Sequence, residues 1–210
     1  MSEIKVNKIS PATGTDVTLG DSGDTLTVPS GGTIVNSGTA TGFGGGGVLQ
    51  FKQTLYQTNT SFSSSGSYTY LTGFTLTITP TLNTSKILLK NTLSYGGDAN
   101  NYAAISIYRD IGGGGYSQLA GALGEDTGNS RTEATFPMIM YSSGNPTYKQ
   151  FTASSEYLDA PATASAVTYR LYYVSNGTIY INYEQLNQDS ASRFNCSSSM
   201  SAMELATGVL

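Results

Sequence analysis

Residues 16–38 hold three look-alike segments: Asp16-Val-Thr-Leu-Gly-Asp-Ser-Gly-Asp24, Thr25-Leu-Thr-Val-Pro-Ser-Gly-Gly32 and Thr33-Ile-Val-Asn-Ser-Gly38. Each sets apolar residues against a Ser-Gly turn: Val17 with Leu19, Leu26 with Val28, and Ile34 with Val35 out of phase. The period is about eight residues, near that of short stacked β-coils. A coil this small offers two or so apolar side chains, too few to offset the entropy of ordering it alone. It needs identical neighbours, and the simplest are further copies of the chain wound about one axis. Val17, Leu19, Leu26, Val28 and Ile34 are therefore the expected packing residues of an intertwined β-repeat stem, and a homotrimer is the expected assembly.

The rest of the chain has another character. Gly42-Phe-Gly-Gly-Gly-Gly47 cannot hold regular structure cheaply and reads as a linker. A phosphate-cradling loop is excluded, because no Lys-Ser/Thr follows and no helix is signalled after it. From Val48 onward short alternating segments follow one another. They are 48–56, 73–79, 86–93, 103–109, 135–141, 150–153, 168–174, 178–183 and 199–205, with turn clusters at 63–66, 96–101, 112–115, 144–146 and 175–177. This spacing predicts an all-β sandwich or barrel. Asn176-Gly177 reads as a type I′ hairpin turn. No window carries helical periodicity, and 159–164 has room for one helical turn at most. The expected organisation is a segment and stem over 1–43, a glycine linker over 44–47 and a head over 48–210.

Composition limits the function classes. Charged residues are 11% of the chain, against roughly 25% in average soluble domains. Fifteen Tyr and seven Phe argue against disorder. A net charge of −4 without basic clusters removes the footprint of a nucleic-acid binder and of a protein drawn to anionic membranes. The first ten residues lack the apolar core of a secretory signal, and no stretch approaches the length of a membrane helix. Cys196 is the single cysteine, and it reads as a buried small hydrophobe rather than a reactive thiol. The Asn-X-Ser/Thr triplets at Asn59, Asn83, Asn176 and Asn195 read as chance in so Asn-, Ser- and Thr-rich a chain. A surface of Gly, Thr, Ser and Asn on a chain without a leader fits a protein assembled in a cytoplasm and released by lysis, as a virion component is.

Certain residues carry a resemblance. Ser2-Glu-Ile-Lys-Val-Asn-Lys-Ile-Ser-Pro11 followed by Val17-Thr-Leu-Gly-Asp-Ser-Gly-Asp24 resembles the start of tail-fibre-like virion structural proteins of marine phages that infect cyanobacteria and α-proteobacteria. Downstream, Ile78-Thr-Pro, Ser85-Lys-Ile-Leu-Leu89, Ile105-Ser-Ile-Tyr-Arg109, Leu158-Asp-Ala-Pro-Ala162 and Ser201-Ala-Met-Glu-Leu205 resemble the globular heads of such proteins. The resemblance implies a trimer with a β-structured stem and a jelly-roll head similar to complement- and tumour-necrosis-factor-type domains. It also implies attachment to other virion proteins, tail, baseplate or capsid, through an N-terminal segment containing Ile4, Val6 and Ile9. The implied job is adsorption to a host-surface glycan or protein; a capsid or collar decoration is the alternative, and a polysaccharide depolymerase a weaker one.

Catalysis has little to rest on. With no His, the usual general base is missing. Glu125 with Asp126, Glu156 with Asp159 and Glu184 with Asp189 are the carboxylate pairs open to a glycosidase, but turn-flanking acids are commonly just solvated. No catalytic residue and no cofactor are expected. Asp21-Ser-Gly-Asp24 has too few oxygens for calcium within one chain and reads as an Asx-type turn, although three copies about an axis would multiply the ligands. Most strand tyrosines read as core or inter-subunit packing. Tyr95, Tyr102, Tyr116, Tyr141 and Tyr148 flank Gly/Asn/Ser loops, where rings beside adaptable polar groups suit recognition. Tyr95, Asn100, Asn101, Tyr102 and Tyr116 are the expected receptor contacts, on loops that read as too long for tight hairpins.

Overall fold

The computed structural model describes residues 9–33, 47–98, 100–126, 128, 130–139, 149–186, 190–191 and 194–206. Ile4, Val6, Ile34, Tyr141, Tyr148, Asp189, the linker at 44–46 and the turn at 144–146 lie outside these residues. The chain divides into two compact units, Met1–Phe43 and Gly44–Leu210.

In the first unit, residues 9–33 contain no strand. The Asx-type turn is there: the Asp24 amide donates to the Asp21 carbonyl at 3.0 Å, and Asp24 Oδ2 accepts from the Asp21 amide at 2.8 Å. A second turn joins Gly32 N to Pro29 O at 2.9 Å. The apolar pairs stand in water, with Leu19 62% and Leu26 70% exposed and Ile9, Val17 and Val28 also exposed. Over residues 9–33 a single chain therefore forms no β-coil, and these side chains stay exposed.

The second unit has strands β1 (Val48–Tyr56), β2 (Thr60–Phe62), β3 (Ser65–Ile78), β4 (Lys86–Gly97), β5 (Tyr102–Ile111), β6 (Ser117–Gln118), β7 (Phe136–Ile139), β8 (Phe151–Asp159), β9 (Val167–Ser175), β10 (Ile179–Ile181) and β11 (Ser198–Leu205). All pairings among the described residues are antiparallel. One edge of β4 carries β8, and the other carries β11 and then β10. Beyond these, β1 lies along β11 and β2 along β10. Each pair is one interrupted strand, so sheet 1 has the order β1/β2, β11/β10, β4, β8. Sheet 2 has the order β3, β9, β5, then β6 and β7 end to end along the far edge of β5. Successive strand positions alternate between the two sheets except at the hairpin from β5 to β6, both of sheet 2. This order is the double Greek key of a jelly roll.

The interruptions have visible causes. Between β10 and β11 the chain leaves the sheet, and Asn182 closes the gap with φ +72° and no exposure. Its amide donates to Ser94 O and its carbonyl accepts from Cys196 N; its side chain donates to Tyr56 O and Thr58 O and accepts from Ser198 Oγ at 2.7 Å. It satisfies the backbone left open where β1 passes into β2 and β10 into β11. Between β6 and β7, bonds from Leu119 N to Ile107 O and Thr135 N to Ile105 O keep the ladder while 120–134 make an excursion. That excursion holds the one helical turn among the described residues, the 3-10 turn Ala120–Ala122.

Period-2 alternation decides what faces inward. On β9, Val167, Tyr169, Leu171 and Tyr173 are buried while Thr168, Arg170, Tyr172 and Val174 point outward, half-buried. Leu71, Phe74, Ile78, Ile105 and Ile107 complete the core from sheet 2; Ile87, Leu93, Ile179, Ile181 and Met200 come from sheet 1. Each such burial is worth roughly 1.5–3 kcal/mol. One charged group crosses the core. Arg109 Nη1 on β5 holds both carboxylate oxygens of Asp159 on β8, at 2.8 and 2.9 Å, and Tyr169 Oη on β9 donates to Asp159 Oδ2 at 2.7 Å.

Two turn expectations are corrected. Asn176-Gly177 is not a hairpin turn: β9 and β10 lie in different sheets, and neither residue has a positive φ. Asn176 instead staples crossovers, accepting from Tyr102 N at 2.7 Å and donating its amide to Tyr102 O. The loops at 98–101 and 112–116 are shorter than expected because β4 and β5 run further into them. The first crosses between sheets and the second closes the β5–β6 hairpin.

Candidate recognition face

The outward side chains of sheet 2 gather into a tyrosine face around one cation. Tyr70 on β3 pairs in register with Tyr172 on β9, and Arg170 pairs with Tyr108 on β5. Tyr108 stacks diagonally on Tyr172 with ring centres 3.9 Å apart, a reach open to aromatic side chains on neighbouring strands. Tyr68 lies beside Tyr108 at 6.3 Å and donates its hydroxyl to Glu133 O. Arg170 projects between two rings, its guanidinium carbon 4.5 Å from the centre of Tyr70 and 4.1 Å from that of Tyr116. Contacts of this kind are worth about 0.5–1 kcal/mol when exposed and more when desolvated.

The glycine-rich loop after β5 delivers Tyr116. Gly113 at φ +85° and Gly115 at φ +103° occupy the left-handed region that most residues avoid. Asp110 Oδ1 accepts the Gly115 amide at 3.0 Å and fixes the loop's return. Tyr116 then lands on Arg170, 6.5 Å from Tyr172.

The face is nearly neutral apart from Arg170. Burial first, then Tyr108 and Glu133, pushes the Tyr68 phenol up to about 12. Burial and then Tyr172 raise that of Tyr108. Both hydroxyls therefore stay protonated near neutral pH. Arg170 has no ion pair among the described residues, and its Nε is buried without a hydrogen-bond partner.

The expected receptor residues separate. Tyr116 is in this face. Tyr95 is a core residue, 5% exposed and stacked on Phe151; as an inward residue of β4 it offers no surface. Asn101 is half-buried and donates to Thr178 O, while its amide closes a turn onto Asp98 O. Asn100, at φ +62°, and Tyr102, 61% exposed, remain on the surface. Tyr102 begins β5 and the Tyr116 loop follows its other end, about 30 Å along the strand at ~3.3 Å per residue. The five do not form one site. Tyr70, Tyr108, Arg170 and Tyr172 were not expected to contribute, because alternation assigns two faces without saying which of them a tyrosine takes.

The candidate carboxylate pairs fare differently. Asp159 is in the core brace, and Glu156 makes an exposed 2.7 Å pair with Lys90. Asp126 caps the Gly128 amide, and with Glu125 it lines a shallow hollow shared with Arg131 and Glu133. Glu184 is buried, while its proposed partner lies outside the described residues. Cys196 is half-buried, its thiol 3.5 Å from Gln150 Oε1. Among the described residues no group of three or more Cys, Asp or Glu comes together as a metal site, and no helix is long and apolar enough to cross a membrane.

No protein-family model matches the chain, and no curated protein matches it. Solved structures with some likeness include the Eiger TNF of S. frugiperda, with a TM-score of 0.34 and 10% identity over 66% of this chain and 90% of that one. A structure of infectious bursal disease virus strain Gt gives a TM-score of 0.33 at 9% identity over 76% and 43%. The VP2 subviral particle of that virus gives 0.33 at 9% over 75% and 42%. This chain spans under half of those viral chains. Likenesses this weak set no family, and the jelly roll stands on the strand pairings.

Proposed function

We infer that the protein is a non-enzymatic virion appendage, a fibre-like homotrimer whose jelly-roll head binds a host-surface glycan or protein during adsorption. The observation that carries this reading is the outward tyrosine–arginine face on a chain otherwise poor in charge. Large rings with polar tips give contact area at low entropy cost. Residues 1 to about 20, with Ile4, Val6 and Ile9, attach to other virion proteins, and the repeats to 43 form the stem, a division that follows the repeat pattern. Exposure of Val17, Leu19, Leu26 and Val28 in a single chain supports a partner along the stem. A second support lies on the outer face of sheet 1. Phe51, Met203, Leu88 and Leu158 are register neighbours across four strands, an apolar row near the start of β1. This row is the head's seam between copies. Three weak sites on one rigid assembly then raise avidity by about 10²–10⁴ without new contacts.

The test is competition: purified full-length protein is added to host cells before phage, with its mass measured by light scattering. A dose-dependent fall in attachment by a species of three times 22.0 kDa is expected. A monomer would sink the stem; a trimer without effect on attachment would make the protein a decoration or connector.

A further inference from the structure

We propose that the tyrosine–arginine face binds an acidic sugar unit, its carboxylate held by Arg170 and its ring packed against the stacked tyrosines. This assignment rests on the adhesion reading and narrows it to a ligand class. Arg109 and Lys90 each hold a carboxylate of the protein, at 2.8 and 2.7 Å. Arg170 holds none among the described residues, and of its three guanidinium nitrogens only Nε is both buried and unpaired. Tyr70 reaches it from the strand on one side of β9, and Tyr116 from the loop after the strand on the other. The buried Nε is out of a ligand's reach, so the edge that would serve a ligand is the one formed by Nη1 and Nη2. That edge presents parallel N–H donors matched to a carboxylate, accepted in-plane and bidentately.

The surroundings select the rest of the ligand. Tyr108 and Tyr172, stacked face to face at 3.9 Å, form an apolar block beside the cation; the Tyr108 phenol, its pKa raised, stays a neutral donor, while Tyr68, whose one proton goes to Glu133 O, can only accept. A pyranose ring offers the matching chemistry of apolar C–H faces rimmed by hydroxyls. Asp110 and Glu133 border the face and the whole chain carries −4. A densely charged polyanion is repelled there, whereas an isolated uronate or sialate in a glycan is not.

The experiment titrates the full-length protein with two probes: a tetrasaccharide of alternating glucuronate and N-acetylglucosamine, and 3′-sialyllactose, each beside its carboxyl-reduced form. At least one acidic probe should bind ten or more times tighter than its reduced form. R170Q should lose that preference with thermal midpoint and mass unchanged. R170K, which keeps the charge and loses the fork, carries the test if R170Q lowers the midpoint. Binding of neither acidic probe, equal binding of acidic and reduced forms, or undiminished binding by the variant overturns the proposal. A change of mass in R170Q would make the face a contact between copies and overturn it as well. If the wild-type protein blocks adsorption but ignores both acidic probes, the ligand class falls and the adhesion reading survives. If it binds a probe without blocking adsorption, the reverse holds.

Discussion

The two outer faces of the sandwich obey the same alternation and expose opposite chemistries. On sheet 1 the row Phe51–Met203–Leu88–Leu158 is apolar throughout, and the next row, Gln53–Ser201–Lys90–Glu156, is polar with one exposed ion pair. On sheet 2 the corresponding surface is aromatic, hydroxylated and singly cationic. Aliphatic side chains gain only by excluding water, which suits a permanent contact with another copy. Tyrosines and an arginine without an ion pair among the described residues keep polar tips available and suit a ligand that arrives hydrated. A second contrast lies beneath: Arg109 and Asp159 satisfy each other inside the protein, whereas Arg170 on sheet 2 has no ion pair among the described residues.

Removing the brace under both faces has the largest expected effect. Asp159→Asn leaves Arg109 a half-buried charge without its partner and should cost about 3–5 kcal/mol, read as a lower urea midpoint. A loss below about 1 kcal/mol would mean that the core does not depend on this pair. The faces themselves can then be separated. Phe51→Asp with Leu88→Asp should shift the proposed trimer toward smaller species in light scattering and leave the intrinsic affinity of each head for an acidic sugar unchanged. A retained trimer would assign all of the association to the stem.

Glu204 gives a smaller effect with a defined pH limb. It is fully buried, accepting from Gln50 Nε2 and Thr81 N at 2.6 Å each. Burial works upward on this carboxyl, but the hydrogen bonds, led by that from Gln50, outweigh it and hold it below its usual 4.5. A depressed carboxyl stabilises the fold fully above its unfolded value near 4.5, and the stabilisation fades as pH falls through the lower folded value. Glu204→Gln should cost about 1–3 kcal/mol at pH 7 and flatten the acid limb of a stability–pH profile; an unchanged limb would assign it to other groups. The smallest effect belongs to the exposed Lys90–Glu156 pair. Glu156→Gln should change stability by under about 1 kcal/mol and leave trimer mass unaltered; a larger loss would place this polar row inside a contact.

The alternating stretches were legible because a half-buried strand must repeat with period two. β1 lies where Val48–Tyr56 predicts it, the expected segments of β4, β5, β9 and β11 fall inside their observed strands, and 73–79 overruns the end of β3 by one residue. What was misread is non-local. Asn176-Gly177 has hairpin chemistry, but its strands belong to different sheets, and no local pattern reports a partner strand. Tyr95 sits beside glycines like a loop residue, yet β4 continues through it into the core. Asn182 left no signal at all, since its role is to satisfy backbone groups distant in sequence. Three segments that carry the phage-fibre resemblance contain Arg109, Asp159 and Glu204, all engaged within the fold; Tyr108 also falls in one of them, whereas Tyr70, Tyr116, Arg170 and Tyr172 lie outside every one.

The amino-acid order alone determined that this chain is all-β, that its first 43 residues are organised differently from the rest, and that it is rich in tyrosine and poor in charge. Those properties follow from local spacing and composition, which need no partner to be read. Only the tertiary structure decided which tyrosines face outward, which acids are spent inside the protein, and that Arg170 stands between Tyr70 and Tyr116 without a counter-ion among the described residues. The reason is physical. Strand pairing joins residues some hundred positions apart, and the choice between core and surface is made by whole sheets packing together rather than by any residue's neighbours in the chain.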